Sequence, residues 1–200
     1  MYKAVFHGAA FFVFNPAIER FSLTLGTKKM HPKGENDLYV LLDAMGIPYT
    51  IYRHPPAPTI EIAREYWKNI PTTHCKNIFF RNHKGNRHYL VVIEHTRELD
   101  IHSLELRLRQ GKLTFASPQR LMKYLGVEPG SVTPFGLIND VEHHVHVFLD
   151  YFLQQSETIS FHPLTNTASV ALRFEDFMKF LQASGNTYEF IHMHKENTKP

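Results

Sequence analysis

Cys75-Lys-Asn-Ile-Phe-Phe-Arg81, followed by Asn82-His-Lys-Gly-Asn86 and His88-Tyr-Leu-Val-Val-Ile-Glu94, is the stretch on which the fold turns. Its flanks are dense in β-branched and aromatic residues and its centre is a Gly-containing turn, so residues 75–94 predict a β-hairpin. Upstream, Leu38, Leu41, Leu42 and Met45 recur at helical spacing, Gly46 stops that helix ahead of Pro48, and residues 49–53 read as a strand. Thr59 can cap a second helix running to about Lys68, with Ile60, Ala63 and Trp67 on one side and Arg64 and Lys68 towards solvent. Downstream come a short helix from Ser103, a brief strand at 113–115, and a helix opened by Ser117-Pro118 and closed by Gly126. Residues 128–139 read as a loop. Residues 145–149, 158–161 and 168–172 read as strands, and Phe174, Phe177, Met178 and Leu181 mark a last amphipathic helix. Helices and strands intermix without a strict βαβ repeat, which predicts an α+β fold around a mixed sheet in a single domain.

The totals agree with that reading. A chain of 200 residues with 43% hydrophobic and 20% charged residues suits one soluble domain, and no apolar run approaches the length of a membrane span. Cys75 is the only cysteine, so no intramolecular disulfide forms and a cytoplasmic location is expected. The net charge is +3, but residues 37–200 are balanced, with 17 basic and 17 acidic side chains. Within them, residues 53–87 carry seven basic side chains against Glu61 and Glu65 alone. Such a local basic surface suits a phosphate-bearing partner, although a solvated charged face would look the same.

Walker, dinucleotide-binding, nucleophile-elbow and paired-cysteine zinc motifs are absent. Of the fourteen histidines, His143, His144 and His146 are the nearest approach to a metal cluster. No carboxylate or cysteine stands at a ligand spacing from them, so they read as the polar side of an edge strand, with no metal. Cys75 on an apolar strand reads as a small core residue whose neighbour Lys76 points to the opposite face. Two loops carry more chemistry. Glu128-Pro-Gly-Ser-Val-Thr-Pro-Phe135 has the composition that exposes backbone N–H groups to an anion, and His162-Pro-Leu-Thr-Asn166 places an imidazole and an amide at a strand break.

Taken together, Cys75-Lys-Asn-Ile-Phe-Phe-Arg81, Pro129-Gly-Ser-Val-Thr-Pro-Phe-Gly-Leu-Ile-Asn-Asp140 and Phe161-His-Pro-Leu-Thr-Asn-Thr-Ala-Ser169 resemble the three motifs of the YbaK/prolyl-tRNA-synthetase-associated editing domains. The closest likeness is to the free-standing ProXp-ala (PrdX-like) branch. It spans residues 36–192, leaving 1–35 as an N-terminal extension, poorly ordered or a start-site artefact with Met30 as the alternative start, and 193–200 as a tail. The resemblance implies a mixed, partly barrel-like sheet flanked by helices.

It also implies an activity: a cofactor-independent, metal-independent hydrolase that removes a wrongly attached amino acid from tRNA in trans. Lys76, Asn77 and His162 fall on the family's catalytic positions. Gly130, Ser131, Thr133 and Asn166 fall in segments that close on the aminoacyl group. Arg64, Lys68, Arg81 and Lys84 are the expected contacts to tRNA phosphates. A synthetase for proline discriminates weakly against a smaller amino acid, so alanyl-tRNA for proline is the first expected substrate and prolyl-tRNA synthetase an expected partner. The alternatives are cysteine, serine or threonine as the misplaced amino acid, or a non-catalytic tRNA-binding or regulatory module.

Overall fold

In the computed structural model, which describes residues 32–68 and 70–193, the hairpin forms as the composition predicts. Strand β2 (Thr73–Arg81) pairs antiparallel with β3 (His88–Glu94), with Cys75 opposite Glu94 and Arg81 opposite His88. Every β3 residue except Glu94 is buried because both faces of the strand are covered. Leu90 and Val92 enter the main core, while Tyr89, Val91 and Ile93 enter a second cluster on the opposite face.

Around the hairpin the chain builds α1 (Glu35–Ala44), β1 (Tyr49–Arg53), α2 (Ile60–Trp67), α3 (Ile101–Leu108), β4 (Thr114–Phe115), α4 (Pro118–Leu125), β5 (Val145–Asp150), β6 (Thr158–Phe161), β7 (Ala168–Arg173), α5 (Phe174–Ala183) and β8 (Tyr188–Ile191). The eight strands form one mixed sheet in the order β1-β7-β6-β2-β3-β5-β8, with β4 on β2. This is the α+β architecture expected. Leu38 and Leu42 of α1, Leu121 and Leu125 of α4, and Phe177, Phe180 and Leu181 of α5 fill the main core. Leu104 of α3 closes the second cluster, and Ala63 and Trp67 of α2 form a third with Ala57 and Ile70.

Several local expectations are corrected. The third helix starts at Ile101, because the Asp100 side chain accepts from the Ser103 N–H at 3.1 Å and caps it two residues earlier than expected. Residues 128–139 are not all loop: Pro134–Asn139 forms a 3-10 helix. Strand β8 had no expected counterpart. His143, His144 and His146 do not lie along an edge, since β5 is flanked by β3 and β8. His144 instead shares a hydrogen bond with His88 at 2.8 Å, and His146 meets Thr187 at 2.7 Å and Glu189 at 3.5 Å. Among the described residues no group of three or more His, Cys, Asp or Glu side chains is placed to hold a metal. None of their helices is long and apolar enough to cross a membrane. Of the segments expected outside the domain, residues 1–31 and 194–200 lie outside the described residues, whereas Lys33 is bonded to Asn139 through both its N–H (2.7 Å) and its carbonyl (3.1 Å).

One feature of the sheet positions the site. Parallel pairing of β2 with β6 lasts for only two residues, Thr73 opposite Ile159 and His74 opposite Ser160. Beyond His74 the two strands splay, and β4 takes up pairing with β2 only at Phe80. The residues in the fork, 75–78 on β2 and the end of β6, therefore have no ladder partner on that side, while the Phe79 carbonyl already accepts from the Ala116 N–H at 2.8 Å.

Candidate active site

The fork opens into a cavity of about 220 Å³. Its floor is β2, with Cys75, Lys76, Asn77 and Ile78; α2 and the turn before it supply Ala57, Pro58, Ile60, Ala63 and Trp67, and Gly130, Val132 and His162 complete the rim. Strand alternation sends Lys76 and Asn77 to opposite faces, and both reach the cavity because it wraps the unpaired edge of β2. The three motifs, separated by up to 87 positions, thus converge on one space.

Each polar group there has a determinable role. The Asn77 Nδ2 donates to the Val132 carbonyl at 3.1 Å, and since a carbonyl only accepts, the amide orientation is fixed. Its Oδ1 is buried with no hydrogen-bond partner among the described residues. His162 Nδ1 donates to the Ala168 carbonyl at 3.0 Å, which leaves Nε2 as an unprotonated acceptor. Burial holds this imidazole below its ordinary pKa; the bond to Ala168 opposes that shift and nearby His54 adds to it. At neutral pH His162 is therefore a neutral base. Lys76 is half-buried, and no ion pair or hydrogen bond holds its ammonium among the described residues. By contrast, burial pushes the Cys75 thiol pKa well up, as a core residue requires.

The glycine at the rim is there for a geometric reason. Gly130 has φ of +84°, and a Cβ on it would lie 2.9 Å from the Pro58 carbonyl oxygen. Motif two can then close against the turn before α2 only with glycine at this position. That turn is itself tied to motif three, His54 N–H donating to the Thr167 carbonyl at 3.0 Å and Ala57 N–H to that of Asn166 at 2.9 Å.

Of the site residues expected from the sequence, the cavity brings together Lys76, Asn77, His162 and Gly130. It does not bring in Ser131, Thr133 or Asn166. Ser131 and Thr133 are buried, and the Thr133 hydroxyl accepts from the Phe135 N–H, capping the 3-10 helix. Asn166 contributes its backbone carbonyl to the tie just described. The four basic residues split into two groups. Arg64 and Lys68 are exposed on α2, Lys68 paired with Glu65 at 2.5 Å. Arg81 and Lys84 lie at the far end of the hairpin, with Arg81 five strand residues or roughly 17 Å from Lys76. Unforeseen were Ala57, Pro58 and Trp67, whose signal was the Pro-rich segment His54-Pro-Pro-Ala-Pro-Thr59 running into a helix.

The same architecture occurs in a solved structure titled as a candidate trans-editing enzyme for prolyl-tRNA synthetase, with TM-score 0.60 at 19% identity over 81% of this chain and 97% of that one. The sequence profile of the aminoacyl-tRNA editing domain matches residues 54–180, and the chain belongs to that family. It is similar to the "Prolyl-tRNA editing protein ProX" of Acetoanaerobium sticklandii, 38% identical over 76% of this chain and 93% of that protein. It is also similar to the mouse "Prolyl-tRNA synthetase associated domain-containing protein 1", 32% identical over 72% of this chain and 88% of that protein. Membership makes this chain an aminoacyl-tRNA deacylase, an ester hydrolase whose macromolecular partner is tRNA.

Proposed function

We propose that the enzyme removes alanine in trans from tRNA for proline, clearing the mischarged product of prolyl-tRNA synthetase. The carrying observation is the small cavity in which Lys76, Asn77 and His162 face the apolar wall of Ala57, Pro58, Ala63 and Trp67. The Lys76 ammonium stabilises the oxyanion that develops on the ester carbonyl or holds the terminal ribose, and Asn77 and the rim at Gly130 orient the acyl group. Neutral His162 is set to take a proton at Nε2. The ester is already activated, so an oriented water and a positive charge suffice without a protein nucleophile. The similarity to a prolyl-tRNA editing protein supports the choice of tRNA.

A panel of tRNAs for proline charged with alanine, serine, cysteine, threonine or proline tests this reading. The alanyl ester is expected to be hydrolysed fastest and the prolyl ester spared, because each methylene too many is worth roughly 10- to 200-fold in a fitted pocket. Faster turnover of the cysteinyl, seryl or threonyl ester would reassign the substrate. No turnover of any would leave a tRNA-binding module.

Arg64 on α2 and Lys68 at its C-cap are exposed next in sequence to the cavity-lining Ala63 and Trp67, and we assign them to acceptor-stem phosphates. Reversing both to glutamate is expected to lower kcat/KM on alanyl-tRNA about tenfold or more at low salt, and to flatten its dependence on salt. Hydrolysis of a short alanyl ester should stay unchanged. Equal losses on both substrates would show that the helix serves the pocket instead.

A further inference from the structure

Behind the cavity, deeper in the fork between β2 and β6, lies a second chamber of about 10 Å³. It shares Trp67, Cys75, Asn77 and His162 with the main cavity and adds Ser160, Phe161 and Ser169. That volume matches one water molecule, and a water needs two to four polar partners to be held. Asn77, Ser160, His162 and Ser169 provide them.

Their hydrogen-bonding roles are fixed from outside the chamber. His74 Nε2 donates to the Ile70 carbonyl at 3.1 Å, so its Nδ1 accepts and the Ser160 hydroxyl, 2.9 Å away, gives its hydrogen there. His54 Nδ1 donates to the Pro55 carbonyl at 2.8 Å, so its Nε2 accepts from the Ser169 hydroxyl at 3.3 Å. Both serines therefore turn only lone pairs inward. Asn77 Oδ1 and His162 Nε2 are likewise acceptors, and Asn77 Oδ1 has no other partner among the described residues. A water among acceptors alone must spend both hydrogens on them. Its own lone pairs are then left unused, and the chamber adjoins the main cavity through the four lining residues they share.

We infer that this chamber holds the hydrolytic water, with Ser160 and Ser169 as positioning residues whose oxygens share one of its hydrogens while His162 Nε2 takes the other; the inference rests on the deacylase reading above. The water oxygen forms a bond to the ester carbonyl carbon while its O–H bond breaks, the proton passing to His162 Nε2. The bond from that carbon to the ribose oxygen then breaks, and the proton is returned to the ribose oxygen, releasing free amino acid and tRNA.

Position 169 offers a test in which the strand and the chamber pull in opposite directions. Ser169 is buried in β7, where valine is favoured and glycine disfavoured for strand stability. Ser169→Val fills the chamber and removes its acceptor, and Ser169→Gly enlarges it so that a second water replaces the hydroxyl. With alanyl-tRNA for proline we expect the valine variant to lose about a hundredfold in kcat with KM within about twofold, the cost of a misplaced reactant. The glycine variant, which loses the hydroxyl but keeps the room for water, should lose only about tenfold. Ser160→Val should behave like Ser169→Val. A valine variant as fast as wild type, or a glycine variant as slow as the valine one, would overturn the chamber and leave the deacylase reading intact. A wild-type enzyme inert on every mischarged tRNA would instead remove that reading and the chamber with it.

Discussion

Lys76→Ala is expected to lower kcat for deacylation by about a hundred- to a thousandfold, the effect of deleting a single group that stabilises a developing oxyanion. Stability should barely change. Lys76 stands opposite Ile93 in the ladder, and its ammonium has no ion-pair partner among the described residues, so truncation strands no buried carboxylate. The backbone bonds of β2 are untouched, and a half-buried lysine contributes mostly the packing of its stem. Single-turnover hydrolysis and thermal unfolding of the same preparation separate the two effects. Lys76→Arg should recover only part of the rate, because a planar guanidinium cannot occupy the place of a compact ammonium in a cavity of about 220 Å³. An alanine variant with wild-type kcat would mean that the charge serves tRNA affinity or nothing.

The elements that give this lysine its setting were unequally legible in the sequence. The hairpin, the Thr59 cap, the helix start at Ser117-Pro118 and the Gly126 stop are local signals, and each appears where its residues stand, Gly126 with φ of +66°, although the Ser117 side chain makes no capping bond. Lys76, Asn77 and His162 were legible because they sit inside motifs. What was not legible depends on a parallel pairing between residues 85 or more apart, which no local period encodes. The two-residue β2–β6 ladder makes the fork, and the fork gives Ser160, Ser169 and Trp67 their places at the site. Thr133 and Asn166 stand outside the cavity lining for the complementary reason. A hydroxyl or amide in a motif looks alike whether it meets substrate or caps a turn, and here Thr133 caps. The basic residues of 53–87 form one patch in sequence, yet the length of β2 separates Arg81 from the cavity. Strand β8 escaped notice although Ser184-Gly185-Asn186 marks a turn ahead of it, because its four residues, Tyr188–Ile191, are too few for a strand period to stand out.

Acidification should weaken the fold chiefly through His88. This side chain is 1% exposed at the start of β3, and burial, followed by His144, Arg120, Lys123 and Arg81, lowers its pKa from 6.5 to about 4. Its Nε2 accepts from Arg120 Nη1 at 2.6 Å and its Nδ1 donates to His144 Nε2 at 2.8 Å, so a proton on Nε2 would face a guanidinium. Tyr124 lies against the same ring at 4.2 Å and leaves no room for it to turn away. Across the window from pH 6.5 down to about 4 the unfolded chain holds this proton and the native state does not, so stability is complete above the window and falls as the pH drops through it. The shift corresponds to on the order of 3 kcal/mol, or a Tm lower by roughly 6–12 °C in a chain of this size. Burial lowers His74, His146 and His162 as well, and these act in the same direction. Urea unfolding of wild type and His88→Gln at pH 7, 5.5 and 4.5 isolates the contribution. The glutamine variant should start less stable at pH 7, having lost the fitted bonds to Arg120 and His144, and then decline less steeply, so that the two curves converge. Curves that stay parallel down to pH 4.5 would show that His88 takes no part, and would transfer the acid sensitivity to the other buried histidines.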